Sequence, residues 1–230
     1  METKRIFNQF PFKLQKIALA KFEGIDTFKD RDKVKKTIDD IFNKPDVIEG
    51  NPIEKYGETR TTVQARPDYD LPELLNLNNN ELGKWLYKSI SQAGKEIHKT
   101  FSTYNPLQPK NYDEFIFVRN WMNRMYKGSH GAAHDHKSQC DMVCIFYLEA
   151  PANCGELIFI NQMVPNNNKE PHFKYPKELC YSIKPEPGLL VCHDKIMTHA
   201  IGQNDVHDPR TVLILEPFFK SKPIQWLTSK

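Results

Sequence analysis

The stretch 141–161, DMVCIFYLEAPANCGELIFIN, holds two short apolar runs that are joined by a turn of proline, asparagine and glycine. Runs of this length, rich in β-branched and aromatic residues and bounded by turn residues, predict β-strands. The pattern recurs on both sides of this stretch, in EFIFVRNWMNRMY at 114–126, ELCYSIKP at 178–185, GLLVCH at 188–193 and TVLILEPFF at 211–219. Several short strands in succession predict an antiparallel barrel or a double-sheet jelly roll.

The N-terminal half carries most of the helical signal. Residues 31–43 place Val34 and Ile38 at helical spacing, and in residues 79–101 apolar side chains recur at threes and fours with lysines opposite. The asparagines at 78–80 can cap the second helix. Both stripes are typical of helices that pack on a sheet.

These signals predict one domain over residues 1–230, since 39% hydrophobic residues suffice for a sizeable core. The expected class is α+β, mainly β. A helical support region at 1–110 would buttress a double-stranded β-helix, a jelly-roll or cupin-like barrel, at 111–220.

Composition argues against several classes of protein. The net charge is +3 and no basic stripe with interleaved aromatics occurs, so nucleic-acid binding is not expected. No apolar run approaches the roughly 20 residues of a transmembrane helix, and the N-terminus lacks a signal-peptide core. The five cysteines form no CxxC pair, which favours buried reduced thiols and a cytoplasmic protein.

A histidine pair, His134-Asp135-His136, is followed 63 residues later by His199 and eleven residues after that by Arg210. Alternate residues of a strand point the same way, so the pair can grip one ion while Asp135 faces away. Imidazole suits iron, zinc, copper and nickel. The planar fork of an arginine binds a carboxylate bidentately, which favours a carboxylate cosubstrate beside the metal.

The remaining histidines are weaker candidates. A structural role is expected for His193, which ends the run GLLVCH, because His199 is better placed relative to Arg210. The others are interpreted as incidental, as surface residues or as neighbours of the pair: His98, His130, His172 and His207.

From Trp121 to Glu216 the chain resembles the 2-oxoglutarate/Fe(II)-dependent dioxygenases. HDH at 134–136 falls on the ligand pair, CIFYLE at 144–149 on the following strand, CGEL at 154–157 on a turn, and PEPGLLVCHDKIMTHAIGQNDVHDPRTVLILEP at 185–217 on the distal half. The likeness is greatest to the prolyl-hydroxylase-like branch, and within it to small members with a His-x-His motif, many of them from marine bacteria and phages.

This resemblance implies Fe(II), 2-oxoglutarate and O2 as cofactor and cosubstrates, with His134, His136 and His199 as metal ligands and Arg210 as the 2-oxoglutarate anchor. It also implies that Tyr147 and Tyr126 lie in the cosubstrate pocket. Oxidative decarboxylation of 2-oxoglutarate would then be coupled to hydroxylation of an unactivated C–H bond, in a prolyl or other amino-acid residue.

The substrate would be a small molecule or a peptide, and the sequence gives no oligomeric state. The long polar segment 161–178 is typical of a lid or a specificity loop, with a solvated insertion as the alternative. Its lysines, which can meet an acidic or peptide substrate, are Lys169, Lys174 and Lys177.

One position departs from the family pattern, which has two histidines and a carboxylate. His136 occupies the carboxylate position, and Asp135 would replace it only if a bulge rotated the strand. Three other functions stay open: a cupin-type three-histidine dioxygenase that does not use 2-oxoglutarate, a zinc hydrolase, and a non-catalytic barrel that serves as a binding module. The zinc hydrolase is disfavoured because the HxHxDH run is absent.

Overall fold

The computed structural model describes residues 1–5, 16–44, 47–49, 58–62, 70–98, 110–136, 140–161 and 177–221. Its helices are α1 (Arg31–Phe42), α2 (Leu71–Leu74), α3 (Glu81–His98) and a 3-10 turn at Lys177–Leu179. Its strands are β1 (Glu2–Arg5), β2 (Lys16–Lys21), β3 (Ile48–Glu49), β4 (Thr59–Thr61), β5 (Lys110–Met125), β6 (Gly131–His134), β7 (Met142–Glu149), β8 (Leu157–Ile160), β9 (Cys180–Ile183), β10 (Leu189–Asp194), β11 (His199–Ile201) and β12 (Arg210–Ser221).

The strands form two antiparallel sheets. The larger has the order β1-β2-β10-β7-β12-β5-β4-β3, and the smaller has the order β6-β11-β8-β9. From β5 onward, consecutive strands alternate between the sheets except for β8 and β9, which pair with each other in the smaller sheet, and this winding is that of a double-stranded β-helix. The predicted mainly-β jelly roll with supporting helices is therefore confirmed, and among the described strands the two sheets stay open at their edges and do not close into a barrel.

The N-terminal region supplies strands as well as helices, although only helices were expected there. β2 pairs with β10 through residues such as Ile17 opposite His193, and β4 pairs with β5. The sequence of β2, KIALAK, is short and contains two alanines, so it carries little intrinsic strand preference. Its pairing with a buried central strand provides the stabilisation that its composition lacks.

The two predicted helices are confirmed close to their expected bounds. Their buried residues repeat at threes and fours, as in Val34, Ile38 and Ile41 of α1. Asn80 caps α3, because its side-chain oxygen accepts a hydrogen bond of 2.7 Å from the backbone N–H of Gly83. None of the helices in the described ranges is long and apolar enough to cross a membrane.

Two apolar layers result from this packing. One lies between the helices and the large sheet, where Leu86 of α3 shares a cluster with Phe146 of β7. The other lies between the two sheets and includes Tyr147 of β7 and Phe159 of β8. Successive side chains of a strand point to opposite layers, so the central strands contribute to both. Most of the predicted lid segment, residues 162–176, lies outside the described residues.

Candidate metal centre

Three histidines from two parts of the chain converge at one end of the inner layer. The ring centroids of His134 and His199 are 4.4 Å apart, those of His136 and His199 are 5.1 Å apart, and those of His134 and His136 are 5.2 Å apart. One ring nitrogen of each residue lies within 4.8 Å of those of the other two. This arrangement can hold one metal ion.

The small sheet places two of these rings side by side. His134 ends β6 and is the direct cross-strand partner of His199, which begins β11. His136 lies two residues beyond the end of β6, and its backbone N–H donates a 2.9 Å hydrogen bond to the carbonyl of Lys195. A regular strand was expected for the whole HDH motif, but the strand ends at His134. His136 still turns toward the other two histidines.

Hydrogen bonds fix which nitrogen of each ring can bind a metal. Each Nδ1 atom faces an oxygen acceptor: the carbonyl of Ala132 at 2.8 Å from His134, the carbonyl of Met197 at 3.1 Å from His199, and the carboxylate of Glu216 at 2.6 Å from His136. Because a carbonyl oxygen only accepts, the Nδ1 atoms of His134 and His199 carry the proton and leave Nε2 with a lone pair. Nε2 of His136 is buried and makes no hydrogen bond to the described residues.

The environment keeps the imidazoles of His134 and His199 neutral. Burial lowers the pKa of His134 to about 4 and the pKa of His199 well below its usual value, and the neighbouring imidazoles lower both further. A neutral imidazole is the form that coordinates a metal.

A buried carboxylate lies directly behind His136. Glu216 of β12 is fully buried, and its Oε1 atom accepts the short hydrogen bond from His136 Nδ1. The indole of Trp121 stacks on the other side of the ring, with centroids 5.7 Å apart and planes 17° apart. His136 is therefore held in one orientation by an acceptor and an aromatic face.

Arg210 lies at the start of β12, with 1% of its surface exposed. Its Nη1 atom donates a 3.3 Å hydrogen bond to the carbonyl of Gly155, and its Nη2 atom contacts the sulfur of Met125. Alternation along the strand puts Arg210, Val212, Ile214 and Glu216 on one face. Val212 and Ile214 belong to the inner layer, so the guanidinium and the Glu216 carboxylate lie on the same side of the sheet.

Tyr147 lies beside this arginine, since it is the cross-strand partner of Val212. Burial raises the pKa of Tyr147 to about 12, and the positive charge of Arg210 opposes that rise. The phenol therefore stays protonated at neutral pH and can donate a hydrogen bond. Tyr126 follows β5 and is half-buried, with its backbone N–H bonded to the carbonyl of Glu58; its place in a cosubstrate pocket stays a prediction.

Gly155 provides a test of the turn that supports Arg210. Its φ is +88°, and a Cβ atom there would lie 2.0 Å from the carbonyl oxygen of Gly202. We expect Gly155→Ala to lower the free energy of unfolding by roughly 2 kcal/mol or more, measured by urea denaturation. Gly24→Ala is the matched control, because its Cβ would meet its nearest neighbour at 3.5 Å. Equal stability of the two variants would contradict the prediction.

Glu216 is the feature of the site that the sequence did not reveal, whereas His193 was expected to have a structural role. Glu216 follows the apolar run 211–215 within β12, and its place on the buried face of that strand is the signal that could have revealed it. His193 is fully buried, with its ring centroid 4.7 Å from that of His199. Its Nδ1 donates to the carbonyl of Asp194, and Nε2 makes no hydrogen bond within the described part of the chain. His193 lies outside the group of three that can share an ion.

Comparison with known families bears on the jelly-roll half of the chain. The sequence profile of the family described as "Putative 2OG-Fe(II) oxygenase" matches residues 119–215. The matched segment contains the three histidines and Arg210, and it covers less than half of the chain. No curated protein sequence matches the chain.

Solved structures match over nearly the whole chain at low sequence identity. The non-heme alpha-ketoglutarate-dependent epimerase SnoN from nogalamycin biosynthesis has a TM-score of 0.59 and 12% identity, covering 94% of this chain and 85% of that protein. EvdO2 from Micromonospora carbonacea var. aurantiaca, complexed with 2-oxoglutarate, has a TM-score of 0.53 and 12% identity, covering 93% and 90%. These likenesses show the fold. The family profile over residues 119–215 is the finding that points to the 2-oxoglutarate/Fe(II) oxygenases.

Proposed function

We propose that this protein is a 2-oxoglutarate- and Fe(II)-dependent oxygenase. The observation that carries the proposal is the cluster of three buried or half-buried histidines, whose Nδ1 atoms are all engaged by oxygen acceptors and whose Nε2 atoms remain for a metal. The family profile over residues 119–215 supports iron as that metal and 2-oxoglutarate as the cosubstrate.

In this proposal, His134, His136 and His199 hold Fe(II), and a three-ligand set leaves coordination positions open. Arg210 pairs with the distal carboxylate of 2-oxoglutarate, and the apolar inner layer excludes water around that ion pair. Fe(II) with 2-oxoglutarate and O2 supplies the oxidising chemistry that acts on an unactivated C–H bond of the substrate.

Tyr147 is proposed to donate a hydrogen bond from its hydroxyl to a carboxylate of 2-oxoglutarate, and Tyr126 to line the same pocket. We expect Tyr147→Phe to weaken 2-oxoglutarate binding roughly tenfold or more, because a hydrogen bond to a charged group contributes about 1.5–3 kcal/mol. Calorimetric titration of the Fe(II)-loaded, anaerobic protein measures the change. Tyr181→Phe, which changes a half-buried tyrosine of β9 in the small sheet, is the control. If Tyr147→Phe and the wild type bound 2-oxoglutarate with equal affinity, Tyr147 would not donate this hydrogen bond.

The finer assignments rest on the sequence resemblance. We propose hydroxylation of an amino-acid side chain, prolyl among them, in a small-molecule or peptide substrate. One fold supports several reactions, and the epimerase SnoN shares it, so mass spectrometry for an added oxygen on candidate peptides tests this assignment. We also propose a single domain over residues 1–230, supported by the pairing of β2 with β10, and a cytoplasmic location, supported by five cysteines that are all thiols.

A second candidate is a three-histidine dioxygenase that does not use 2-oxoglutarate. The donor set favours it, since three imidazoles and no carboxylate form the cluster. The two candidates differ at Arg210, because only the 2-oxoglutarate enzyme needs this cation to bind its cosubstrate.

Anaerobic titration with Fe(II) and 2-oxoglutarate tests the proposal. We expect a weak visible metal-to-ligand charge-transfer band that grows with 2-oxoglutarate and saturates at one equivalent per chain. Fe(II) binding without this band would favour the second candidate. The failure of the protein to bind Fe(II) would exclude both oxygenases.

A further inference from the structure

The proposed centre lacks the negative charge that a carboxylate ligand gives to the usual two-histidine, one-carboxylate iron site. Three neutral imidazoles leave the full charge of a divalent ion uncompensated by its ligands. A cation in a buried site is costly unless a charge nearby balances it. The residues that contact the three rings therefore decide how well the site holds a metal.

Glu216 is a buried carboxylate in direct contact with this cluster. Its Oε1 atom is 2.6 Å from His136 Nδ1, and the residue is 0% exposed. Its other oxygen lies 3.9 Å from Nε of Arg119, whose side chain is half exposed and therefore screened by solvent. The stronger, buried contact of Glu216 is thus the one to His136.

The position of Glu216 follows from the register of the large sheet. It lies opposite Arg119 of β5, in a strand whose inner face also carries Arg210. Six residues of strand span roughly 20 Å, so β12 can place a cation at one end of the site and an anion at the other. The anion faces the proposed metal, and the cation faces the proposed dicarboxylate.

We propose that Glu216 takes the place of the missing carboxylate ligand without contacting the metal itself. It is a positioning residue that supplies negative charge to the metal through His136. By accepting the Nδ1 proton in a hydrogen bond, the carboxylate orients the ring and raises the electron density at Nε2. This inference rests on the proposed metal binding. The alternative is a structural role, in which the contact only ties β12 to the segment after β6.

Metal affinity separates these roles without any measurement of turnover. We expect Glu216→Gln, which keeps the size of the side chain, to weaken Co(II) and Fe(II) binding by 10- to 100-fold, the usual effect of removing such a partner. Anaerobic competition against a chromophoric chelator gives the affinity, and the Co(II) d–d bands should shift because the donor strength of His136 changes. Unchanged affinity and unchanged bands would overturn the inference.

Glu149→Gln is the matched control. Glu149 is a partly buried carboxylate of β7 that contacts Arg124 and Thr211, and Arg124 in turn binds Asp39 of α1, on the helix-covered side of the large sheet. Its replacement removes the same charge and should leave metal affinity unchanged. An equal loss in both variants would mean that net charge, and not the contact to His136, sets the affinity.

A double-substitution cycle tests the path through His136. His136→Asp returns a carboxylate to the ligand position, so the further change Glu216→Gln should then cause little or no additional loss of affinity. A full 10- to 100-fold loss in that background would contradict a role through the ring.

A measurement on the unmodified protein covers the case in which the variants do not fold. In the Zn(II)-loaded protein, the Nδ1 proton of His136 should resonate further downfield in the NMR spectrum than those of His134 and His199, because only His136 donates to a carboxylate. Three similar shifts would overturn the inference. A wild-type protein that binds no metal would instead remove the proposed function itself.

Discussion

Replacing His199 with alanine is expected to lower Fe(II) affinity by at least about 100-fold and to abolish the charge-transfer band with 2-oxoglutarate. His199 is central to the cluster, since its ring centroid lies 4.4 Å from that of His134 and 5.1 Å from that of His136. Loss of one of the three proposed ligands would leave two imidazoles, which are too few to hold the ion in one defined geometry. Chelator competition and the anaerobic visible spectrum measure both effects.

His207→Ala is the control for this experiment. His207 is exposed and contacts Lys127 outside the cluster. The His207→Ala protein should bind Fe(II) as the wild type does and keep the charge-transfer band with 2-oxoglutarate. If His199→Ala retained wild-type affinity, the ion would be bound elsewhere and the proposed centre would be wrong.

Replacing Arg210 with alanine should weaken 2-oxoglutarate binding by about 2 kcal/mol or more, which is roughly 30-fold. The guanidinium is buried beside Tyr147, so no solvent competes for a carboxylate that binds there. Removing it would leave the distal carboxylate of the cosubstrate in an apolar layer without a counter-charge. Calorimetric titration with the Fe(II)-loaded protein gives the dissociation constant.

Fe(II) affinity in the absence of 2-oxoglutarate should not change in Arg210→Ala, which separates anchoring from folding. Arg31→Ala removes a half-exposed arginine of α1 that pairs with Asp26 and Asp32, and the variant protein should bind 2-oxoglutarate normally. Turnover by Arg210→Ala that needs no 2-oxoglutarate would point to the three-histidine dioxygenase instead, and undiminished 2-oxoglutarate affinity would show that Arg210 is not the anchor.

The fold was predictable where local patterns carry it. The apolar runs of β7, β8, β10 and β12 and the helical stripe of α3 each identify one element and the layer that it faces. β2 could not be predicted, because KIALAK becomes a strand only through its pairing with β10. The early end of β6 before His136 also depends on a distant partner, the carbonyl of Lys195.

The candidate site also contains some residues that the sequence could predict and others that it could not. Close spacing and strand alternation suggested the pair His134 and His136 from sequence, and the resemblance to the 2-oxoglutarate dioxygenases joined His199 and Arg210 to it. Glu216 and His193 reach the site through the register of long-range strand pairs, which no local pattern specifies. Their roles could be read only after the strands were placed.

The central claim is that three imidazoles share one iron. Diffraction from anaerobic crystals of the Fe(II)-loaded protein, collected at the iron absorption edge, tests it most directly. We predict a single anomalous peak about 2.1 Å from Nε2 of His134, His136 and His199. A peak coordinated by the carboxylate of Asp135 in place of His136, or a peak away from these rings, would contradict it.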